Sequence, residues 1–129
     1  MSDECFPTDE RFTLAWSGQV AVVTAAGEID ITNAEGFRDV LLSALNAGAA
    51  GLVADLTPTT FLDSAGVTAL VRAARRATAT DATLRLAVTA RPVLRVLSLV
   101  GIDQLIPVYP SLADALASLP DQIGRGLPA

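Results

Sequence analysis

The chain has no histidine, and all nine of its basic residues are arginine. Without histidine, neither a Ser-His-Asp nor a Cys-His pair can form within it. Without lysine, a Ser-Lys dyad, a Schiff base and the phosphate-gripping lysine of a P-loop are excluded. The single cysteine, Cys5, cannot form an internal disulfide, and it leaves a structural zinc site without soft ligands. Aromatic residues are scarce, at 5 % of the chain, so the core must come mostly from Ala, Val and Leu. No long uncharged apolar run offers a membrane span, and the acidic start, Met1-Ser2-Asp3-Glu4, lacks the apolar stretch of a signal peptide. What remains is carboxylate chemistry, oxygen-ligand metal sites, or no catalysis.

The 129 residues fit one domain, with roughly two-thirds of the unfolded-chain surface buried on folding. A net charge of −5 opposes binding to nucleic acid and to an anionic membrane. Together with the lone thiol, this points to a reducing cytoplasm.

Residues 1–11 read as an N-terminal arm and 120–129 as a tail, flanking a folded domain over 12–119. Alternation from Phe12 to Trp16, the Ser17-Gly18 turn and the run Val20–Ala26 predict a hairpin. Thr32 and Glu35 have capping-box spacing ahead of an apolar stripe through Phe37, Val40, Leu41, Ala44 and Leu45, which stops at Gly48. Leu52–Leu56 predicts a buried strand, and Thr57–Thr60 a loop, because Pro58 cannot pair in a central strand. A second helix is predicted from Ser64, with Val67, Leu70, Val71, Ala74 and Thr78 inward and Thr68, Arg72, Arg75 and Arg76 outward.

Leu84–Val88 follows as a strand, then a helix opened by Pro92, with Val93, Val96, Leu97 and Val100 as its apolar stripe and Gly101 as its stop. Leu105–Val108 predicts a short edge strand, and Ser111 caps a last helix that Pro120 ends. The order β-β-α-β-α-β-α-β-α calls for an α/β domain: a mixed, mainly parallel sheet of four to five strands flanked by about four helices.

Three features bear on chemistry. Asp63-Ser64 opens an amphipathic helix, where backbone N–H groups have no intrahelical partner and the dipole is positive. A phosphate on Ser64 would meet those donors and add about 1.5 to 2 negative charges. The plain reading of the same pair is an N-cap. Glu28 and Asp30, two apart at a strand end, would share a face. They are either solvated acids or, with Asp63, a carboxylate site for acid/base work or a divalent cation. Arg72, Arg75 and Arg76 form either a solvated helix face or a surface for an acidic partner.

Gly27-Glu28-Ile29-Asp30, Phe61-Leu62-Asp63-Ser64-Ala65-Gly66-Val67, Arg91–Leu97 and Gly101-Ile102-Asp103 occur in an order and spacing that resembles STAS-domain anti-sigma factor antagonists over roughly residues 12–119. The resemblance implies a non-catalytic partner switch. The unphosphorylated protein would bind an anti-sigma factor that is also a serine kinase of the Bergerat ATP-binding fold, freeing the sigma factor. Phosphorylation would release the kinase, and a metal-dependent serine phosphatase would reset the switch. By position, the resemblance makes Ser64 the phosphoacceptor and places Asp30, Asp63, Gly66, Thr68 and Arg72 at the partner contact. It implies no cofactor or metal for this chain, since ATP and Mg²⁺ belong to the kinase. Ala65 stands where many members have Ser or Thr, which concentrates the expectation on Ser64. STAS domains also serve in stressosome proteins, transporter tails and lipid-transport ATPase complexes. A short chain without a sensor or membrane segment argues against the first two of these.

Overall fold

The computed structural model describes residues 11–120. The expected arm 1–11 and tail 120–129 therefore fall almost wholly outside the described residues, as does Cys5. The hairpin forms as predicted, from β1 (Phe12–Ser17) and β2 (Val20–Ala25). Gly18 supplies the positive φ that its tight turn requires. Next come β3 (Gly27–Ile29), α1 (Ala34–Asn46), β4 (Gly51–Leu56), β5 (Thr59–Leu62) and α2 (Ser64–Ala79). The chain continues with β6 (Thr83–Val88), α3 (Arg91–Val100), the single turn α4 (Ile102–Leu105), β7 (Val108–Tyr109) and α5 (Leu112–Ala117).

Five strands form a mixed sheet in the order β1-β2-β4-β6-β7, antiparallel only between β1 and β2. Strand alternation sorts its side chains into two cores. Ala21, Val23, Leu52, Ala54, Leu56, Leu84 and Leu86 face the larger one, with Phe37, Leu41, Leu45, Leu70 and Leu97 from α1, α2 and α3. Val20, Val53 and Ala87 face the other way, against Ala115 of α5 and Leu119. Every residue of β4 is buried, as a strand covered on both faces requires.

Four local expectations need correction. Thr59 and Thr60, expected in a loop, open strand β5, because Pro58 precedes β5 and β5 pairs only with β3, in a separate two-stranded parallel ribbon. Residues 102–105 are helical, so the last strand shrinks to β7, which does keep the expected edge position. No capping box forms at Thr32: the N-cap of α1 is Asn33, and the Thr32 hydroxyl donates to Asp30 instead. The buried face of α2 consists of Gly66, Ala69, Leu70, Ala73, Ala74 and Ala77, rotated from the predicted stripe. Val67 and Val71 are half-buried and Thr78 is exposed.

Candidate functional site

The β3–β5 ribbon determines the site. Ile29 pairs with Leu62, and the Asp63 N–H donates to the Ile29 carbonyl at 3.1 Å. Asp30 and Asp63 therefore leave the ends of neighbouring parallel strands side by side. Each leads into the first turn of a helix that packs on the other.

At the Asp30 strand end, the chain turns at once. The Asp30 carbonyl accepts from the N–H groups of Asn33 (3.0 Å) and Ala34 (2.8 Å). The buried Asn33 side chain closes the turn, accepting from the Asp30 N–H at 3.0 Å and donating to the Glu28 carbonyl at 2.9 Å. The strand ends at Ile29, so two-residue alternation does not extend to Asp30, and the predicted sharing of a face with Glu28 loses its basis. The Asp30 carboxylate accepts from the Thr32 hydroxyl and backbone N–H. These bonds, the hydroxyl first, hold its carboxyl below its ordinary value. A carboxylate serving as a general acid needs the opposite shift.

At the Asp63 strand end, Asp63 is the N-cap of α2. Its Oδ1 accepts from the N–H of Ala65 (2.8 Å) and of Gly66 (3.3 Å). Two of the helix-end donors expected to meet a phosphate are thus already occupied by the cap. Ser64 is the first helical residue and is exposed. Among the described residues, its Oγ has no hydrogen-bond partner. Thr68, one turn on and exposed, donates its hydroxyl to the Ser64 carbonyl at 3.0 Å. Arg72, a further turn on, is exposed too.

Gly66 is placed differently from these. It is buried, and a Cβ there would stand 2.3 Å from Leu62 Cδ1 and 3.0 Å from Ile29 Cγ2. Glycine thus lets the α2 N-terminus seat directly on the ribbon. Its contribution is to position Ser64 rather than to present a surface.

An open groove of about 420 Å³ runs between the first turns of α1 and α2, lined among others by Ile31, Glu35, Arg38, Ala65, Thr68 and Arg72. Ile31 was not singled out from the sequence. It is 80 % exposed, an apolar side chain beside the two strand ends. The signal was present: an isoleucine between a strand end and a helix cap belongs to neither apolar pattern.

Among the described residues, no helix is long and apolar enough to cross a membrane. The family model for the STAS domain matches residues 12–115. No curated protein matches the chain. Among solved structures, the chain is similar to an anti-sigma factor antagonist from Mycobacterium paratuberculosis. The identity is 26 %, over 83 % of this chain and 91 % of that one, with a TM-score of 0.77. It also shares its fold with the anti-sigma factor antagonist SpoIIAA in its unphosphorylated form, at 22 % identity and a TM-score of 0.71, over 92 % and 99 % of the two chains. The phosphorylated form of the Bacillus cell fate determinant SpoIIAA aligns at 18 % identity and 0.65, over 82 % and 96 %. With four-fifths of its length matched by that family model, the chain belongs to the STAS-domain family.

Proposed function

We propose that this protein is an anti-sigma factor antagonist whose partner binding is switched off by phosphorylation of Ser64. The observation that carries this reading is the exposed, unbonded Ser64 hydroxyl at the first position of a capped helix. It stands beside the paired strand ends of Asp30 and Asp63. A kinase substrate needs only an accessible hydroxyl on a stable frame, and the missing histidine and lysine cost it nothing.

The chemistry of the off-state follows from the cap. Phosphate would add about 1.5 to 2 negative charges beside two carboxylates. The Ala65 and Gly66 N–H groups are already bonded to Asp63, so the new charge has little local compensation and faces the partner. A partner packed on Ile31, Thr68 and Ser64 would have to desolvate that charge. A loss of about 1.4–4 kcal/mol would weaken binding roughly ten- to a thousandfold. Asp30, whose carboxyl Thr32 holds below its ordinary value, is well suited to pair with a basic group on the partner. The partner in this reading is an anti-sigma factor with serine kinase activity of the Bergerat fold, which brings its own ATP and Mg²⁺. A metal-dependent serine phosphatase reverses the modification in the cytoplasm. Support comes from the antagonist relatives, one of them solved in both phosphorylation states.

The test is affinity capture from the source cells with wild type, Ser64→Ala and Ser64→Glu, read by mass spectrometry. The reading expects a Bergerat-fold kinase with wild type and Ala but not with Glu, and phosphate on Ser64. Recovery of a transport ATPase, or binding indifferent to residue 64, would overturn it while leaving the fold intact.

A further inference from the structure

The arginines of α2 are unevenly satisfied. Arg38 on α1 is held by Asp39 and Glu35, and Arg85 on β6 by Ser118 and the Leu84 carbonyl. Arg72 and Arg75 have no hydrogen-bond or ionic partner among the described residues, and Arg76 donates only to the neutral Asn46, at 2.8 Å. All three are exposed on α2. Arg72–Arg75 and Arg72–Arg76 are like-charge pairs at i,i+3 and i,i+4, a spacing that weakens a helix. The helix dipole accounts for a cation in the last turn, which describes Arg76 but neither Arg72 nor Arg75.

These guanidinium groups border a second, larger groove of about 630 Å³ between α1 and α2, with Leu42, Val67 and Val71 along its floor. The floor residues are half-buried, so apolar surface lies open beneath a cationic rim. The rest of the molecule is acidic, with a net charge of −5 for the chain. Arg91 and Arg95 on α3 are likewise without a partner among the described residues, but Arg72, Arg75 and Arg76 are the ones that stand over this apolar groove. Arg75 and Arg76 lie about 17 Å along α2 from Ser64, at 1.5 Å rise per residue.

We infer that this groove is a docking site for an acidic, amphipathic peptide segment of a protein partner. Carboxylates of the segment pair with Arg72, Arg75 and Arg76, and its apolar side chains cover Leu42, Val67 and Val71. The groove shares Thr68 and Arg72 with the one beside Ser64 and extends from there toward Arg75 and Arg76, so it gives a partner a second hold on α2. Nucleic acid also offers negative charge, but the overall acidity of the chain opposes it and an apolar floor gives a phosphate backbone nothing.

The test is an NMR titration of the isotope-labelled full chain with a synthetic peptide of glutamate and leucine at helical spacing. Saturable shifts confined to the backbone amides of the α1–α2 groove are expected. Exchanging the peptide's leucines for serine should weaken binding. The triple variant Arg72→Gln, Arg75→Gln, Arg76→Gln should bind about tenfold more weakly, since three exposed ion pairs are lost. The corresponding triple Lys variant keeps the charge and should bind within about threefold of wild type. Circular dichroism of both variants verifies the fold. No saturable shift, shifts centred instead on the exposed Leu99 and Leu105, or unchanged affinity in the folded Gln variant would each overturn the inference. Tighter binding of an oligothymidylate than of the peptide would overturn it as well.

Discussion

Gly66→Ala adds one methyl group at the point where α2 meets the β3–β5 ribbon. That Cβ would stand 2.3 Å from Leu62 Cδ1, 3.1 Å from Leu62 Cγ and 3.0 Å from Ile29 Cγ2. Leu62 and Ile29 are both fully buried, so neither side chain can swing into solvent to relieve the overlap. Overpacking of this kind costs about 1–3 kcal/mol. Helix propensity works the other way, favouring Ala over Gly by up to about 1 kcal/mol, and less in a first turn. The net expectation is a destabilisation of about 1–2 kcal/mol, or roughly 4–8 °C in Tm for a domain of this size.

Urea and thermal unfolding of the variant measure it. A double-mutant cycle with Leu62→Val isolates the cause. Valine lacks the Cδ1 that the new methyl strikes, so the Ala penalty should shrink by about 1 kcal/mol in that background. A Gly66→Ala protein as stable as wild type, or a penalty unchanged by Leu62→Val, would refute the packing account of this glycine.

Three further outcomes follow from the same geometry. Asp63→Ala removes the acceptor for the Ala65 and Gly66 N–H groups and should cost about 0.5–2 kcal/mol in chemical unfolding, whereas Asp63→Asn should retain most of that. Asn33→Ala removes the acceptor of the Asp30 N–H and one donor to the Glu28 carbonyl at a half-buried turn, and about 0.5–1.5 kcal/mol should be lost by the same assay. Thr32→Val deletes the hydroxyl donor to Asp30, and a carboxyl carbon NMR titration should show the Asp30 midpoint rising toward its ordinary value of 3.8. Because the folded-state value is depressed, Asp30 contributes stability above its unfolded pKa and loses it as pH falls through the folded one. The difference between wild type and Thr32→Val should therefore narrow in acid.

The parts of the fold that repeat were plain in the sequence. The run Leu52–Leu56 is read as a buried strand and is one, covered on both faces, and Ser64 and Ser111 each begin the helix expected of them. What escaped was set by tertiary context. Residues 59–62 pair with a strand of three residues that itself has no strong pattern, and Pro58 beside them argues for a loop. The Thr32 hydroxyl had two possible partners, and the Asp30 carboxylate two residues back took it in preference to the helix end.

The α2 face was misplaced because valine outranks alanine in hydrophobicity. Close packing of α2 on its neighbours instead selects the small residues Gly66, Ala69, Ala73 and Ala77. Motif spacing singled out Ser64, Asp63 and Asp30, but not the ribbon that brings the Asp30 and Asp63 strand ends together. Ile31 stood outside both apolar patterns in the sequence, but its exposure beside the strand ends is set by the fold, where the core excludes it.

The most direct test of the central claim is the affinity of the captured kinase for this protein before and after stoichiometric phosphorylation, with the modified residue mapped. The account predicts phosphate on Ser64, an unchanged fold and binding weakened about ten- to a thousandfold. Equal affinity of the two forms, or phosphate carried on another residue, would contradict it.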